Sequence, residues 1–266
     1  MSATIALLPA RGVLEIGGPD RADFLQGLIT NDVAKIGENS AIYAALLTAQ
    51  GRFLHDFFLV SAGDSWLLDG EEARLPDLVR RLTMYRLRSK VTLTPRPDLA
   101  VLAVFGGDLP AISGVCFPDP RNPALGWRAI VSRETAAALA SANDAAYDVL
   151  RLSLGVPDGS RDLVPEKSLL MESGFDALNG IDWNKGCYIG QELTARMKYR
   201  ALVKKQLVPV SVSGTLPAPG TAIMAGADEV GEMRSGRDGA ALAVLRLDAL
   251  DKPMRAGDAV ISARSE

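Results

Sequence analysis

A chain of 266 residues with 48% apolar content is long enough to bury a substantial core, as one large domain or two smaller ones. Its net charge of −3 argues against a protein whose main task is coating nucleic acid, although a local basic face stays open. Two cysteines and a single histidine exclude a disulfide framework and a structural zinc site.

The opening residues lack a basic leader followed by a long apolar run, and no stretch approaches ~20 uninterrupted apolar residues. The expectation is a cytoplasmic protein with free thiols, no membrane span and no membrane partner.

RGVLEIGG (11–18) reads as a strand running into a glycine turn. PDRADFLQGLIT (19–30) predicts a helix: Pro19 suits its first turn, Asp20 and Asp23 its positive end, and Phe24, Leu25 and Leu28 form an apolar face. Asn31-Asp32 follows as a turn. IYAALLTA (42–49) and FLHDFFLV (53–60) predict two strands around the turn Gln50-Gly51-Arg52, and SWLLDG (65–70) a third. Apolar residues at 75, 78, 79, 82 and 85 predict an amphipathic helix over 75–87. VTLTP and DLAVLAVFGG read as strands, and 113–126, rich in Pro, Gly and Asp, as loop. A short strand at GWRAIVS precedes helices at RETAAALASAND and at YDVLRLSLG (147–155); 160–174 is loop-like, and QELTARMKYR reads as a helix or helical turn. Beyond residues 203–207 short strands separated by Gly, Asp or Pro suggest a small barrel or sandwich, giving domains 1–205 and 206–266.

The densest chemistry lies in KGCYIGQE (185–192). Gly186 and Gly190 permit backbone geometry that bulky residues resist. Cys187 falls in a glycine turn ahead of a helix start, two residues from Lys185, and both features favour the reactive thiolate. A small buried cysteine between two turn glycines is the plainer reading, and spacing alone leaves both open. Glu192 and Arg196 stand at the favourable i,i+4 spacing.

Basic residues crowd here (Lys185, Arg196, Lys198, Arg200, Lys204, Lys205) and again at Arg80, Arg81, Arg86, Arg88 and Lys90. In an acidic protein these point to an anionic ligand or partner, or else to solvated helix faces. His55 and Asp56 are neighbours in an alternating strand, so they face opposite sides and do not act on one atom together; His55 reads as structural. There is no P-loop, no dinucleotide fingerprint and no Gly-x-Ser-x-Gly.

KGCYIGQELTAR resembles the signature of the YgfZ family, folate-binding proteins of iron–sulfur cluster assembly related to the glycine-cleavage T-protein. FLQGLITNDV, TAQGRFLHDFFLV, RLTMYRLRSKVTL, RLSLGVP, LVPEKSLL and the Gly/β-rich tail follow the family's order over nearly the whole chain. The resemblance implies an α+β fold: a T-protein-like folate-binding body with a central cleft, and a C-terminal β-barrel covering it. Tetrahydrofolate or a derivative needs apolar walls, fixed polar contacts for its pterin edge and cations for its carboxylates. Carried over, this implicates Lys185, Cys187, Tyr188, Gln191 and Glu192, with Gln26, Asn31, Asp32, Tyr85 and Arg196 as further candidates. A core aromatic for Tyr85 and a helix-ending turn for Asn31-Asp32 are the plainer readings.

The T-protein is an aminomethyltransferase whose matching strand carries adjacent aspartates. Here the pair is His55-Asp56, so one carboxylate is missing, and T-proteins lack the KGCYxGQE signature. The resemblance therefore implies an accessory factor more than an enzyme, with Asp56 the residue that would serve a transfer. Iron–sulfur clusters usually take four protein ligands, so Cys187 is implied as one ligand of a transient cluster shared with a partner. The expected function is a tetrahydrofolate-binding factor for assembly or repair of [4Fe–4S] proteins, with iron–sulfur assembly proteins and [4Fe–4S] client enzymes as partners. Its alternatives are folate-dependent aminomethyl or one-carbon transfer, and a tRNA-binding modification factor whose basic clusters contact phosphates.

Overall fold

A computed structural model describes residues 2–264. The chain opens with strands β1 (Thr4–Leu7) and β2 (Arg11–Gly17) and a short helix α1 (Arg21–Gln26). Strands β3 (Ile42–Leu47), β4 (Phe53–Ala62) and β5 (Ser65–Glu71) form a meander, followed by helix α2 (Leu75–Arg86) and β6 (Thr92–Pro95). Then come β7 (Leu99–Phe105), β8 (Val115–Pro118), β9 (Trp127–Ser132), α3 (Arg133–Leu139), α4 (Asp144–Ser153) and, after a long stretch without strands, α5 (Gln191–Tyr199). Strands β10 (Lys205–Ser213), β11 (Ala222–Ala225), β12 (Asp228–Arg237), β13 (Ala240–Arg246), β14 (Met254–Ala256) and β15 (Ala259–Ala263) complete it.

Two antiparallel sheets face each other in the body, ordered β3-β4-β5-β2-β6 and β1-β7-β9-β8. The two-residue period of a strand sorts each side chain to one face. Ile42, Ala44 and Leu46 meet α1 and α2 together with Leu25, Leu78 and Leu82. Tyr43, Ala45 and Leu47 instead meet the second sheet through Val101, Phe117 and Ile130. Both faces are covered, which is why β3 is apolar without interruption and buried throughout. The outer face of the second sheet is closed by Ala136 of α3 against Leu102, Val104 and Val131.

The last six strands close into a barrel, β10-β13-β12-β11-β14-β15, around Val210, Ile223, Met233, Leu245, Met254 and Ile261. Closure leaves no unpaired sheet edge. The barrel docks on α4, where Leu152 packs against Leu207, Ala240 and Leu242. Polar groups lock the same contact. Arg151 Nη2 donates to Ser235 Oγ at 2.8 Å, and Asp162 Oδ1 accepts from the Ser235 N–H and hydroxyl at 2.9 and 2.6 Å.

Two local expectations change, and one strand has no signal in the sequence. The helix predicted over 19–30 stops at Gln26, because Ile29 bridges Leu46 and the Thr30 N–H donates to Ala45, so the sheet claims these residues. Residues 115–118 form β8 inside the predicted loop, paired with β9. β1, too short to show alternation, is held by register against β7.

Candidate functional site

The signature segment is pinned on both sides of its cysteine. Lys185 Nζ donates to the carbonyls of Gln26, Ile29 and Asn31 at 2.8, 2.7 and 2.8 Å. It thereby caps the chain leaving α1, where carbonyls lack helical partners. Burial lowers the Lys185 pKa to about 8. The Asn184 and Lys185 N–H groups donate to Asp182 Oδ1, and Asp182 is itself paired with Lys35. On the other side the Tyr188 ring is buried in the core between the sheets, and burial pushes its hydroxyl up to about 12. Gly190, at φ +82°, caps the start of α5 and touches the β3–β4 turn so closely that a Cβ would stand 2.5 Å from the Thr48 carbonyl oxygen. Between these fixed points Cys187 is exposed. This decides between the two readings of the cysteine: it is not a buried filler. The three donors of the Lys185 ammonium go to three backbone carbonyls.

Cys187 borders an open groove of about 520 Å³ along α5, lined also by Tyr188, Gln191, Glu192, Ala195, Arg196, Tyr199 and Arg200. Two stripes at helical spacing face it: Gln191, Ala195, Tyr199 and Glu192, Arg196, Arg200. Arg196 and Glu192 form the expected pair at 3.4 Å. The sequence reading missed Tyr199 as part of this surface, although its i+4 and i+8 relation to Ala195 and Gln191 was available.

The other proposed ligand-binding residues serve the chain itself. Gln26 Nε2 donates to Asp32 Oδ1, and its Oε1 accepts from the Val33 N–H. Asp32 Oδ1 also caps the turn at Ala34. Asn31 is buried and donates to the carbonyls of Tyr43 and Asn179. The side chain of Gln191 accepts from the Tyr188 N–H. Tyr85 stands on the last turn of α2, 42% exposed, with no hydrogen bond to the signature segment, so it is not the core aromatic of the plainer reading either.

Asp56 lies elsewhere, in the centre of the molecule. It is buried, accepts from the Tyr43 hydroxyl at 2.8 Å, and burial raises its pKa. His55 points to the opposite face, with Nε2 2.9 Å from Asp77 Oδ2 on α2. The separation expected for neighbours on a strand is therefore realised.

Around Asp56 the centre is filled by charges that the sequence reading did not single out. The guanidinium groups of Arg11, Arg121 and Arg128 stand 5.6, 4.8 and 4.2 Å from the centre of the Phe58 ring. Arg11 and Arg128 share the Asp69 carboxylate, Arg121 forks onto Asp119, and the Tyr147 hydroxyl accepts from Arg121 at 2.9 Å.

The central hollow beside Arg11, Phe58 and Arg128 has a volume of about 50 Å³. The signature residues line an outer groove instead, open to solvent, and not a central cleft. The fold implied by the resemblance is present.

Comparison with known proteins follows this geometry. Residues 204–266 match the family model described as the CAF17 C-terminal beta-barrel domain. The chain is 33% identical to the mouse protein named iron-sulfur cluster assembly factor IBA57, mitochondrial, covering 93% of this chain and 78% of that one. The human protein of the same name is 34% identical with the same coverage. A crystal structure of the glycine cleavage system aminomethyltransferase T from Bartonella henselae superposes with a TM-score of 0.80 over 100% of this chain and 85% of that chain, at 15% identity, which shows a shared fold. The mitochondrial names of these relatives overturn the expectation of a cytoplasmic protein.

Proposed function

This chain belongs to the IBA57 family of iron–sulfur cluster assembly factors, close to the YgfZ family its signature resembles, and from that premise we propose that it offers Cys187 as a thiolate ligand to a cluster held jointly with a partner protein. One observation carries this reading. Cys187 stands exposed on a segment anchored by Lys185 on one side and by the buried Tyr188 on the other. An exposed sulfur on a fixed backbone is presented in one place, so binding metal costs little ordering of the loop.

Among the described residues no three of His, Cys, Asp and Glu come together in a group able to hold a metal ion. A cluster at Cys187 therefore draws its remaining ligands from another protein or from small thiols. The groove of Arg196, Tyr199 and Arg200 beside the cysteine supplies surface for such a partner. The proposed role of Cys187 stands independently of folate. Aminomethyl transfer through Asp56 is the second reading; that carboxylate is buried and accepts from the Tyr43 hydroxyl.

The test is aconitase activity in cells lacking this protein, with a cluster-free dehydrogenase as control. The wild-type gene restores aconitase and Cys187→Ala does not, while the variant protein accumulates and melts as wild type. Full restoration by Cys187→Ala would sink the proposal.

A further inference from the structure

The end of α2 carries a surface unused by the role above. The helix lays Leu75, Leu78 and Leu82 into the core. Tyr85, next in that stripe, is 42% exposed, so the last turn outruns the sheet beneath it. Met84 is 57% and Leu87 89% exposed; three of the nine exposed large apolar side chains among the described residues thus fall within four positions. Leu87 sits at φ +42°, an uncommon backbone for leucine, in the bend that follows the helix. Cations alternate with these apolar groups. Arg86, Arg88 and Lys90 are all exposed, and none has a carboxylate partner among the described residues, whereas Arg80 and Arg81 are paired with Asp77. One carboxylate, Asp20, borders Leu87 and Arg88, and it accepts from the Lys90 backbone N–H at 2.7 Å.

We propose that this tip binds the surface of an anionic lipid bilayer. Met84, Tyr85 and Leu87 enter the boundary between headgroups and acyl chains, and Arg86, Arg88 and Lys90 meet lipid phosphates. Here every exposed apolar side chain has, within two positions in the chain, a cation without a carboxylate partner. The same alternation suits a bilayer edge, where arginine and lysine lay apolar stems along the boundary and keep their charges at the headgroups. No helix among the described residues is long and apolar enough to cross a membrane, so the attachment is peripheral. With three cations and three apolar side chains it is weak, reversible and screened by salt.

The experiment is co-sedimentation of the full chain with vesicles of equal parts phosphatidylcholine and phosphatidylglycerol, against vesicles of phosphatidylcholine alone, at low and high salt. Binding is expected only to the anionic vesicles at low salt. Leu87→Asp and the pair Arg86→Glu with Arg88→Glu each lower it about tenfold or more. Val260→Asp, at an exposed position on the barrel, leaves it unchanged. All these sites are exposed, so each variant is expected to melt with wild type, and circular dichroism confirms the fold. Equal binding to both vesicle types, no binding, or binding indifferent to the α2 variants overturns the proposal. So does a salt-sensitive tRNA complex lost in the same variants without any vesicle binding, which would assign the tip to nucleic acid.

Discussion

The centre of the molecule and its signature segment spend charged and aromatic residues in opposite ways. At the centre Arg11, Arg121 and Arg128 surround Phe58, each bonded to a carboxylate of the same chain, and almost no volume is left. At the signature segment Lys185 and Tyr188 are likewise consumed internally, yet they leave Cys187 and the Arg196–Tyr199 face of α5 outside. The T-protein fold is shared at a TM-score of 0.80 with only 15% identity. A shared fold thus leaves open which part of it is used: here the interior holds the body together and the rim carries the candidate chemistry.

The harshest way to break that contrast is Asp69→Asn. It removes the carboxylate common to Arg11 and Arg128 and leaves two buried guanidinium groups short of countercharge. Removing one partner of a buried ion pair costs about 3–5 kcal/mol, so the denaturation midpoint should fall sharply. A midpoint close to wild type would show that the centre is not a structural lock and favour it as a ligand site.

The second test is pH. His55 is buried against α2, and burial, reinforced by Arg74, pulls its pKa from 6.5 to about 4. Unfolded, it takes up a proton below about pH 6.5; folded, only below about pH 4. Between these values the unfolded state binds more protons, so stability falls as pH drops through the window, by up to about 3 kcal/mol. Asp77 adds nothing there. Despite its own desolvation, hydrogen bonds from Arg81 and Arg80 hold it below its usual range, and its contribution is lost only at more acid pH. His55→Gln should flatten urea midpoints between pH 4 and 6.5. A slope unchanged by that substitution would place the effect elsewhere.

Lys185→Met sharpens the comparison at the rim. It strips the donor from three carbonyls, each bonded to Nζ at 2.7–2.8 Å. The expected cost is about 1–3 kcal/mol, with hydrogen exchange accelerated at residues 26–31 and 185–190 before the rest of the body. Exchange that rose evenly across the sheets would mean that Lys185 supports the whole body and not the presentation of Cys187.

The signature segment was legible in the sequence because its information is local. Gly190 at a helix start and Glu192 with Arg196 at i,i+4 act within a few residues, and the structure keeps both. The β3–β4–β5 meander was legible for the same reason, through alternation around a glycine turn. The centre was not. Asp69 meets Arg11 across 58 positions and Arg128 across 59, joined only by the register of two sheets. Lys185 was legible only in part: its hydrogen-bond partners are backbone carbonyls near residue 26, which no spacing argument exposes. Gln26, Asn31 and Asp32 spend their side chains on backbone and side-chain groups around the turn that carries them, which the spacing does not reveal.

The smallest effect on stability belongs to the cysteine itself, and there the two thiols of the chain provide an internal control. Cys187 is exposed, whereas Cys116 on β8 is partly covered and burial raises its pKa. Alkylation requires both access and thiolate, so one equivalent of iodoacetamide at neutral pH should label Cys187 well ahead of Cys116. Cys187→Ser should remove that fast reaction and change the unfolding free energy by no more than about 0.5 kcal/mol, as for other exposed positions. Peptide mapping of the labelled protein decides the matter. Equal labelling of the two cysteines would mean that the anchors at Lys185 and Tyr188 do not keep the signature thiol outside, and the contrast between closed centre and open rim would lose its functional half.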